Sequence, residues 1–176
     1  LDEMDYKDKN PCAVCGTFRR YLLNKYSQKF DVIATGHNLD DEAQAILMNF
    51  LKPNMMTNFR IGPKTGHFED KKFTPRVKPL YFLAEREIRA YVLLKGINLS
   101  FGECPKASDS FRSKVRDQLN LLESKKPGAK KNIIDNFLRL QKQFFKPIKT
   151  KFNKCKKCGF VSIGDICRAC QLAAEI

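Results

Sequence analysis

The spacing of apolar residues along the chain predicts helices that alternate with short strands. Apolar side chains at helical spacing follow Pro11, which predicts a first helix carrying Phe18, Tyr21, Leu22 and Tyr26. Residues 31–35 read as a short buried strand, after which residues 36–38 turn the chain into a second helix. The apolar face expected for that helix holds Ala43, Ile46, Leu47, Phe50 and Leu51. Helix, strand and helix in this order are typical of a parallel α/β sheet.

The later part of the chain is predicted to be mostly helical. Residues 52–75 form a long loop, residues 83–94 a helix stopped by Gly96, and residues 97–101 a strand. Ser108 or Asp109 is expected to cap the next helix, which is broken at residues 127–128 and followed by another that ends at Pro147. Since no stretch approaches the ~18 apolar residues of a membrane span, we expect no membrane association.

The basic residues are concentrated in one part of the chain. The formal net charge is +14, and residues 106–157 alone carry 16 basic and 4 acidic side chains. A local excess of this kind is typical of a surface that binds polyphosphate, although a solvated lysine-rich face remains the alternative. We divide the chain into residues 1–105, a basic helical region 106–146 and a tail 147–176. Because the acidic start lacks Met and does not resemble a signal peptide, we expect a piece of a longer protein in the cytoplasm.

Four cysteines in the tail have the spacing of a metal knuckle. Two Cys-x-x-Cys pairs, Cys155 with Cys158 and Cys167 with Cys170, are separated by eight residues. Each pair can chelate through a tight turn, and Gly159 follows the first pair where the turn needs a relaxed φ angle. Four thiolates form a closed, structural zinc site, and so short a module is expected to fold only around its metal. Disulfides are disfavoured by the odd total of seven cysteines.

The three remaining cysteines leave several interpretations open. Cys12 and Cys15 form a Cys-x-x-Cys pair at the start of the first helix, and Cys104 follows a predicted strand in Gly-Glu-Cys-Pro. The pair alone fits a structural metal site or a dithiol redox centre, and Cys104 alone fits a buried free thiol. Together, three thiolates at a cleft could hold an iron–sulfur cluster and leave one iron open.

A glycine followed by acidic residues begins the second predicted helix. Gly36 permits close approach of a ligand to the backbone, and the helix N-terminus favours anions. Asp40, Asp41 and Glu42 fit helix capping as well as they fit a nucleotide or Mg²⁺ site. His37 alone would suggest a packed histidine. Arg19 and Arg20 on the first helix, and Arg112 and Arg116 four residues apart further on, are either solvated or able to face phosphate.

Four segments, taken together, resemble the tRNA 2-thiolation enzymes of the PP-loop ATPase superfamily, in the archaeal and eukaryotic cytosolic branch. They are PCAVCGTFRR at 11–20, ATGHNLDDEAQ at 34–44, GECPKASDSFRSKVRDQLNLLE at 102–123 and the CKKCG…CRAC tail at 155–170. The resemblance implies the C-terminal part of a parallel-sheet PP-loop domain, followed by helices and a four-cysteine zinc finger. The implied reaction is adenylation of the C2 oxygen of a tRNA uridine by ATP with Mg²⁺, followed by sulfur transfer.

The resemblance also implies roles for particular residues. Cys12, Cys15 and Cys104 would bind a [4Fe–4S] cluster that takes sulfur from free sulfide or from a ubiquitin-like carrier protein. Asp41, with Asp40 as the alternative, would be the catalytic acid. The remaining implied sites are ATP binding by Gly36, Arg19 and His37, and tRNA binding by Arg112, Lys114 and Arg116. A homodimer is expected as well.

One departure from the family pattern limits these expectations. The phosphate-gripping SGGxDS loop of the first strand is absent from the sequence, and so is the N-terminal zinc finger of this branch. We therefore predict that the chain does not adenylate tRNA unaided. The alternatives are a non-catalytic RNA-binding zinc protein, which would contain no iron, and a dithiol oxidoreductase, which would not need Cys104.

Overall fold

The computed structural model describes residues 10–52, 58, 61–66, 74–99, 104, 110–144 and 152–175. The helices are α1 (Pro11–Tyr26), α2 (Leu39–Phe50), α3 (Glu85–Leu94), α4 (Phe111–Lys125), α5 (Ala129–Phe144) and α6 (Arg168–Glu175). The strands are β1 (Ile33–Ala34), β2 (Lys64–Thr65), β3 (Arg76–Val77), β4 (Asn153–Lys154) and β5 (Val161–Ser162). None of the helices in the described ranges is both long and apolar enough to cross a membrane.

The chain divides into two compact units. Unit 1 comprises residues 1–33, 66–75 and 147–176, and unit 2 comprises residues 34–65 and 76–146. Both units are therefore built from segments that are distant in the sequence. The division of the chain into residues 1–105, 106–146 and 147–176, which was made from the sequence, stays a prediction.

In unit 1, helix α1 packs against helix α6. Asn10 caps α1, because its side-chain oxygen accepts from the backbone N–H of Cys12 at 2.9 Å, and Pro11 occupies the first helical position. Strands β4 and β5 form an antiparallel hairpin in which Asn153 faces Ser162 and Lys154 faces Val161. This hairpin and the start of α6 carry the four tail cysteines.

In unit 2, helix α2 lies against α4 and α5 and forms most of the core. One cluster of buried residues contains Leu39, Ile46, Tyr81, Ile134 and Phe137, and a second contains Ala43, Val115 and Leu119. Residues of α2 belong to both clusters, because this helix is buried on more than one side. A helix enclosed in this way holds its N-terminus in a fixed position.

The strands beside this core are only two residues long. Their order is β1-β3-β2, with β2 and β3 antiparallel and Lys64 opposite Val77. The backbone N–H of Thr35 donates to the carbonyl of Val77 at 2.9 Å, and that of Ile33 donates to Pro75 at 2.9 Å. The hydrogen bonds between β1 and β3 move up both segments in sequence order, which is the pattern of a parallel pair. The predicted α/β class is confirmed.

Several boundary predictions were wrong. Residues 97–99 form no strand, because the N–H of Ile97 bonds to the carbonyl of Val92 and Gly96 takes a positive φ of 61°, which together close the end of α3. Helix α4 begins later than expected and is capped by Ser110, whose hydroxyl accepts from the N–H of Ser113 at 3.2 Å. Residues 100–101, 108 and 109 lie outside the described residues. Helix α2 ends at Phe50, so Leu51 is exposed.

Candidate functional site: a thiolate quartet and a carboxylate-rich helix start

The four tail cysteines converge in space. Their sulfur atoms all lie within 4.8 Å of one another, and those of Cys158 and Cys167 are 3.8 Å apart. Four sulfurs at the ~2.3 Å zinc–sulfur bond length define a tetrahedron with edges of about 3.8 Å. In the described part of the chain, no other group of three or more histidine, cysteine or acidic side chains converges in this way.

Backbone hydrogen bonds hold the quartet in shape. The N–H of Cys155 donates to the carbonyl of Phe160 at 2.7 Å, and the N–H of Gly159 donates to the carbonyl of Cys155 at 2.8 Å. Gly159 has a φ of 70°, the left-handed conformation that the turn was predicted to need. The N–H of Cys167 points at the sulfur of Cys155 at 3.3 Å. The sulfurs are thus positioned by the turns that carry them.

The thiols influence the acidity of one another. The hydrogen bond from the N–H of Cys167 is the main reason that the pKa of Cys155 is lowered to about 6. Burial is the main reason that the pKa of Cys170 is raised to about 12, with hydrogen bonds to neighbouring thiols adding to it. Burial also raises the pKa of Cys167. Four sulfurs this close can all be ionised only if a cation lies among them, so the donor set fits a thiophilic divalent metal.

The N-terminus of α2 is capped, and Gly36 and His37, which precede it, are exposed. Asn38 accepts from the N–H of Asp41 at 3.0 Å, while the carboxylate of Asp41 accepts from the N–H of Asn38 at 3.2 Å, which forms a capping box. Among the described residues, a Cβ atom placed on Gly36 would meet nothing within 4 Å. His37 is exposed, with its Nδ1 3.0 Å from the hydroxyl of Thr35. The assignment of Gly36 and His37 to ATP stays a prediction.

Two of the three acids at this helix start are committed to buried ion pairs. Asp40 pairs with Lys130 and also accepts from the backbone N–H of Glu85 at 2.7 Å. Glu42 pairs with Lys78 at 2.7 Å, and its side chain is only 3% exposed. These contacts tie α2 to α5, to the start of α3 and to the segment after β3. Their primary role is therefore structural.

Asp41 differs from its neighbours because it remains partly accessible. Its side chain is 34% exposed, and its Oδ1 atom is 3.3 Å from the guanidinium of Arg112. Arg112 also donates to the side-chain oxygen of the buried Gln44 at 3.4 Å. Of the two candidates for the catalytic acid, Asp41 is thus the more accessible, and the catalytic role stays a prediction.

The other predicted basic residues have different surroundings. Arg116 contacts Asp117 at 3.4 Å and donates to the hydroxyl of Ser113 at 3.3 Å. Lys114 lies exposed on the same helix, and Arg19 lies exposed on α1 in unit 1. The assignments of Lys114 and Arg116 to tRNA and of Arg19 to ATP stay predictions.

Cys12 and Cys15 occupy the first turn of α1, where residues three apart share a face. Cys12 is exposed and Cys15 half-buried, while Cys104 in unit 2 is exposed, and none of the three is in a disulfide. Three cysteine thiolates are the donor set that a cluster with one open iron needs, and a helix N-terminus suits its negative charge. The joint site stays a prediction.

Known proteins resemble this chain over nearly its whole length. No family model matches it. The tRNA-5-methyluridine(54) 2-sulfurtransferase of Pyrococcus horikoshii is 43% identical over 164 residues, which are 92% of this chain and 52% of that protein. The cytoplasmic tRNA 2-thiolation protein 1 of Candida glabrata is 32% identical over 174 residues, covering 93% of this chain and 48% of its own length. The chain thus spans about half the length of these curated relatives.

A solved structure shows the same fold. The U34-tRNA thiolase NcsA from Methanococcus maripaludis, determined with its [4Fe–4S] cluster, matches with a TM-score of 0.78 and 34% identity over 100% of this chain and 56% of its own. The fold and the quartet define an α/β protein with a cysteine metal knuckle. The chain is a homologue of the tRNA 2-thiolation sulfurtransferases, as its resemblance to that family predicted.

Sequence reasoning missed the lysines that neutralise the α2 acids. Lys130 shares the apolar face of α5 with Ile134 and Phe137, four and seven residues further on. A lysine in line with buried residues is a signal of a buried ion pair, because an unpaired charge is rarely tolerated there. Lys78 offered no comparable signal.

Proposed function

We propose that this chain is the C-terminal portion of a tRNA-uridine 2-sulfurtransferase, and that this portion does not include the SGGxDS loop. In the complete reaction, the C2 oxygen of a uridine attacks the α-phosphorus of ATP and releases pyrophosphate. Sulfur then attacks C2, the C2–O bond breaks and AMP leaves. The homology along more than nine-tenths of the chain to tRNA sulfurtransferases is the observation that carries this proposal.

Asp41 is proposed as the acid beside the activated base. Its support is accessibility, since its side chain is 34% exposed whereas Asp40 is enclosed with Lys130. Gly36 and His37 precede it at the helix start, where backbone N–H groups and the helix dipole favour an anionic nucleotide phosphate. Arg19 is assigned to the same ATP by the family pattern alone.

Cys12, Cys15 and Cys104 are proposed to hold a [4Fe–4S] cluster. Such a cluster, when bound by three cysteines, supplies an open iron that can carry sulfur. Its support is that the solved thiolase of the same fold contains a [4Fe–4S] cluster, and that these three cysteines lie outside the thiolate quartet. The sulfur source is either free sulfide or the thiocarboxylate of a ubiquitin-like carrier protein.

The quartet of Cys155, Cys158, Cys167 and Cys170 is proposed to bind Zn²⁺ and to support tRNA binding. Phosphate contacts are assigned to Arg112, Lys114 and Arg116, in the part of the chain that carries the excess of basic residues. A homodimer located in the cytoplasm completes the proposal, and the location is supported by the Candida glabrata relative, which is named a cytoplasmic protein.

The test measures 2-thiouridine in tRNA by mass spectrometry after incubation with ATP, Mg²⁺ and sulfide under anaerobic conditions. The chain alone is expected to give no product, and a chimera in which an SGGxDS-bearing half of a relative precedes it is expected to give product. Asp41→Asn in the chimera should abolish product, while Asp117→Asn, at an exposed position of α4, should not. Product from the chain alone would contradict the assignment as a partial enzyme. An active Asp41→Asn chimera would contradict the role of Asp41.

A further inference from the structure

One face of helix α1 is open along the length of the helix. Its side chains are spaced by three or four residues, which places them on the same side of a helix. They are Cys12, Cys15, Arg19, Leu22 and Tyr26. All of these residues are exposed except Cys15, which is half-buried. The face therefore begins at the cysteine pair and ends at an aromatic ring.

The end of this face presents two aromatic rings, each with an ammonium group beside it. Tyr26 is 69% exposed and Phe30, just beyond the helix, is 58% exposed. The Nζ atom of Lys25 is 6.0 Å from the centre of the Tyr26 ring, and that of Lys29 is 5.4 Å from the centre of the Phe30 ring. At these distances a cation is attracted to an aromatic ring. Most of the surface of each ring is left for another flat group.

A buried turn fixes the backbone that carries the two rings. Ser27 follows α1 and is buried, and its N–H donates to the carbonyl of Leu23 at 3.1 Å. The carbonyl of Ser27 accepts from the N–H of Phe30 at 2.9 Å and from the hydroxyl of Thr74 at 2.8 Å. Because the turn is held from both sides, Tyr26 and Phe30 are presented in advance of any partner, which lowers the entropy cost of binding.

The charge of the segment indicates the kind of partner. Residues 11–30 contain four basic residues and no acidic residue. Single-stranded RNA matches both features of this surface, because an unpaired base stacks on an aromatic ring while the phosphate joined to it attracts the ammonium group. An RNA duplex stacks its base faces on one another and therefore matches only the charge.

We propose that Tyr26 and Phe30, together with Lys25 and Lys29, form a stacking platform for unpaired bases of RNA. Tyr26 lies 14 residues after Cys12, which is about 21 Å along the helix axis. The platform therefore holds nucleotides that lie several positions from a base placed at the cysteine pair. The identification of this RNA as tRNA rests on the proposed function, whereas the stacking itself does not.

The first experiment compares Tyr26→Leu with Tyr91→Leu in the full chain. Tyr91 is the matched control, because it is 58% exposed on α3 and the Nζ of Lys95 is 5.9 Å from its ring centre. Fluorescence anisotropy measures the affinity for a labelled oligouridylate of about twelve nucleotides and for an RNA duplex of the same length. Tyr26→Leu is expected to weaken binding of the single strand about tenfold, because one stacked base is lost.

The same variant should bind the duplex nearly as well as the unmodified chain does, and Tyr91→Leu should bind both RNAs nearly unchanged. Tyr26→Phe keeps the ring and should bind the single strand almost as tightly as the unmodified chain. Equal affinities of Tyr26→Leu and Tyr91→Leu for the single strand would overturn the platform. So would equal losses on single strand and duplex, or an unmodified chain that does not bind the single strand.

A protein partner is the competing use of this face. If Tyr26→Leu leaves RNA binding unchanged but alters self-association in analytical ultracentrifugation, the face is an interface between copies of the chain and the proposal fails. Circular dichroism spectra of all variants establish that the fold is retained.

The second experiment tests the ammonium groups. Lys25→Gln should lower the slope of log affinity against log salt concentration by about 0.7, the value for one phosphate contact with a single strand. Lys95→Gln is the control and should leave the slope in place, and equal slopes for the two variants would overturn the role of Lys25. A chimera that thiolates no tRNA would contradict the proposed function, and the oligouridylate measurements would still decide the platform.

Discussion

Replacement of Lys130 by Met tests whether the start of α2 is held by a buried ion pair. The methionine keeps the length and most of the apolar stem of the lysine, so the change removes mainly the charge. In the native chain, the ammonium of Lys130 bonds the carboxylate of Asp40 and the side-chain oxygen of Asn120 at 2.5 Å. Both side chains of the ion pair are 10% exposed. The variant therefore leaves the Asp40 carboxylate buried, with the N–H of Glu85 as its remaining donor among the contacts described above.

The expected cost follows from this burial. Removal of one partner of a buried ion pair typically destabilises a protein by about 3–5 kcal/mol, because the other charge is left without compensation. A domain of this size has a free energy of unfolding of roughly 5–15 kcal/mol, so the loss is a large fraction of it. With an m-value of about 2 kcal/mol/M, the urea midpoint should fall by about 2 M. Circular dichroism during urea titration measures this shift.

Lys131→Met is the matched control. Lys131 is the next residue on α5, is 63% exposed and pairs with Asp135 four residues later. An exposed pair of this kind contributes at most about 1 kcal/mol. The double variant Asp40→Asn with Lys130→Met should recover at least about 1 kcal/mol relative to Lys130→Met, because no buried charge remains. Equal midpoints for Lys130→Met and Lys131→Met would refute the reasoning.

Three further variants test the site. Asp41→Asn is expected to lower the free energy of unfolding by about 1 kcal/mol through loss of the capping box, whereas Asp40→Asn should lower it by several kcal/mol. Urea titration measures both losses, and similar losses would contradict the different burial of the two side chains. Arg112→Glu should weaken tRNA binding in a filter assay and make the affinity less dependent on salt concentration. The control is Arg89→Glu, because Arg89 is an exposed arginine paired with Glu85. This control should change both quantities less, and equal effects would count against a specific contact of Arg112 with tRNA. Gly36→Ala should leave the melting temperature within about 2 °C, since a Cβ atom there meets none of the described residues within 4 Å. It should weaken nucleotide binding to the SGGxDS-bearing chimera, and unchanged binding would exclude close backbone approach at Gly36.

Local rules predicted the parts of the fold that depend on neighbouring residues. The proline at the start of α1, the glycine that ends α3 and the convergence of two Cys-x-x-Cys turns all follow from residues within a few positions of one another. The predicted strand is wrong at residues 97–99, because the N–H of Ile97 forms the hydrogen bond that closes α3.

The sequence pattern could not predict contacts between distant segments. The pairing of Asp40 with Lys130 joins residues 90 positions apart, and the packing of Tyr21 on the tail joins α1 to the far end of the chain. Periodicity marks such residues as facing inward, but it does not say which segment they face. The difference in burial between Asp40 and Asp41 is therefore visible only in the structure.

We propose that one chain carries two different metal sites, and metal analysis of anaerobically reconstituted protein is the most direct test. We expect about one zinc and four iron atoms per chain, with acid-labile sulfide matching the iron. Cys104→Ala should lose most of the iron and keep the zinc, and Ala13→Ser, an exposed neighbour of Cys12, should keep both. Zinc without iron in the unmodified chain, or iron that persists in Cys104→Ala, would contradict the presence of a separate iron–sulfur site.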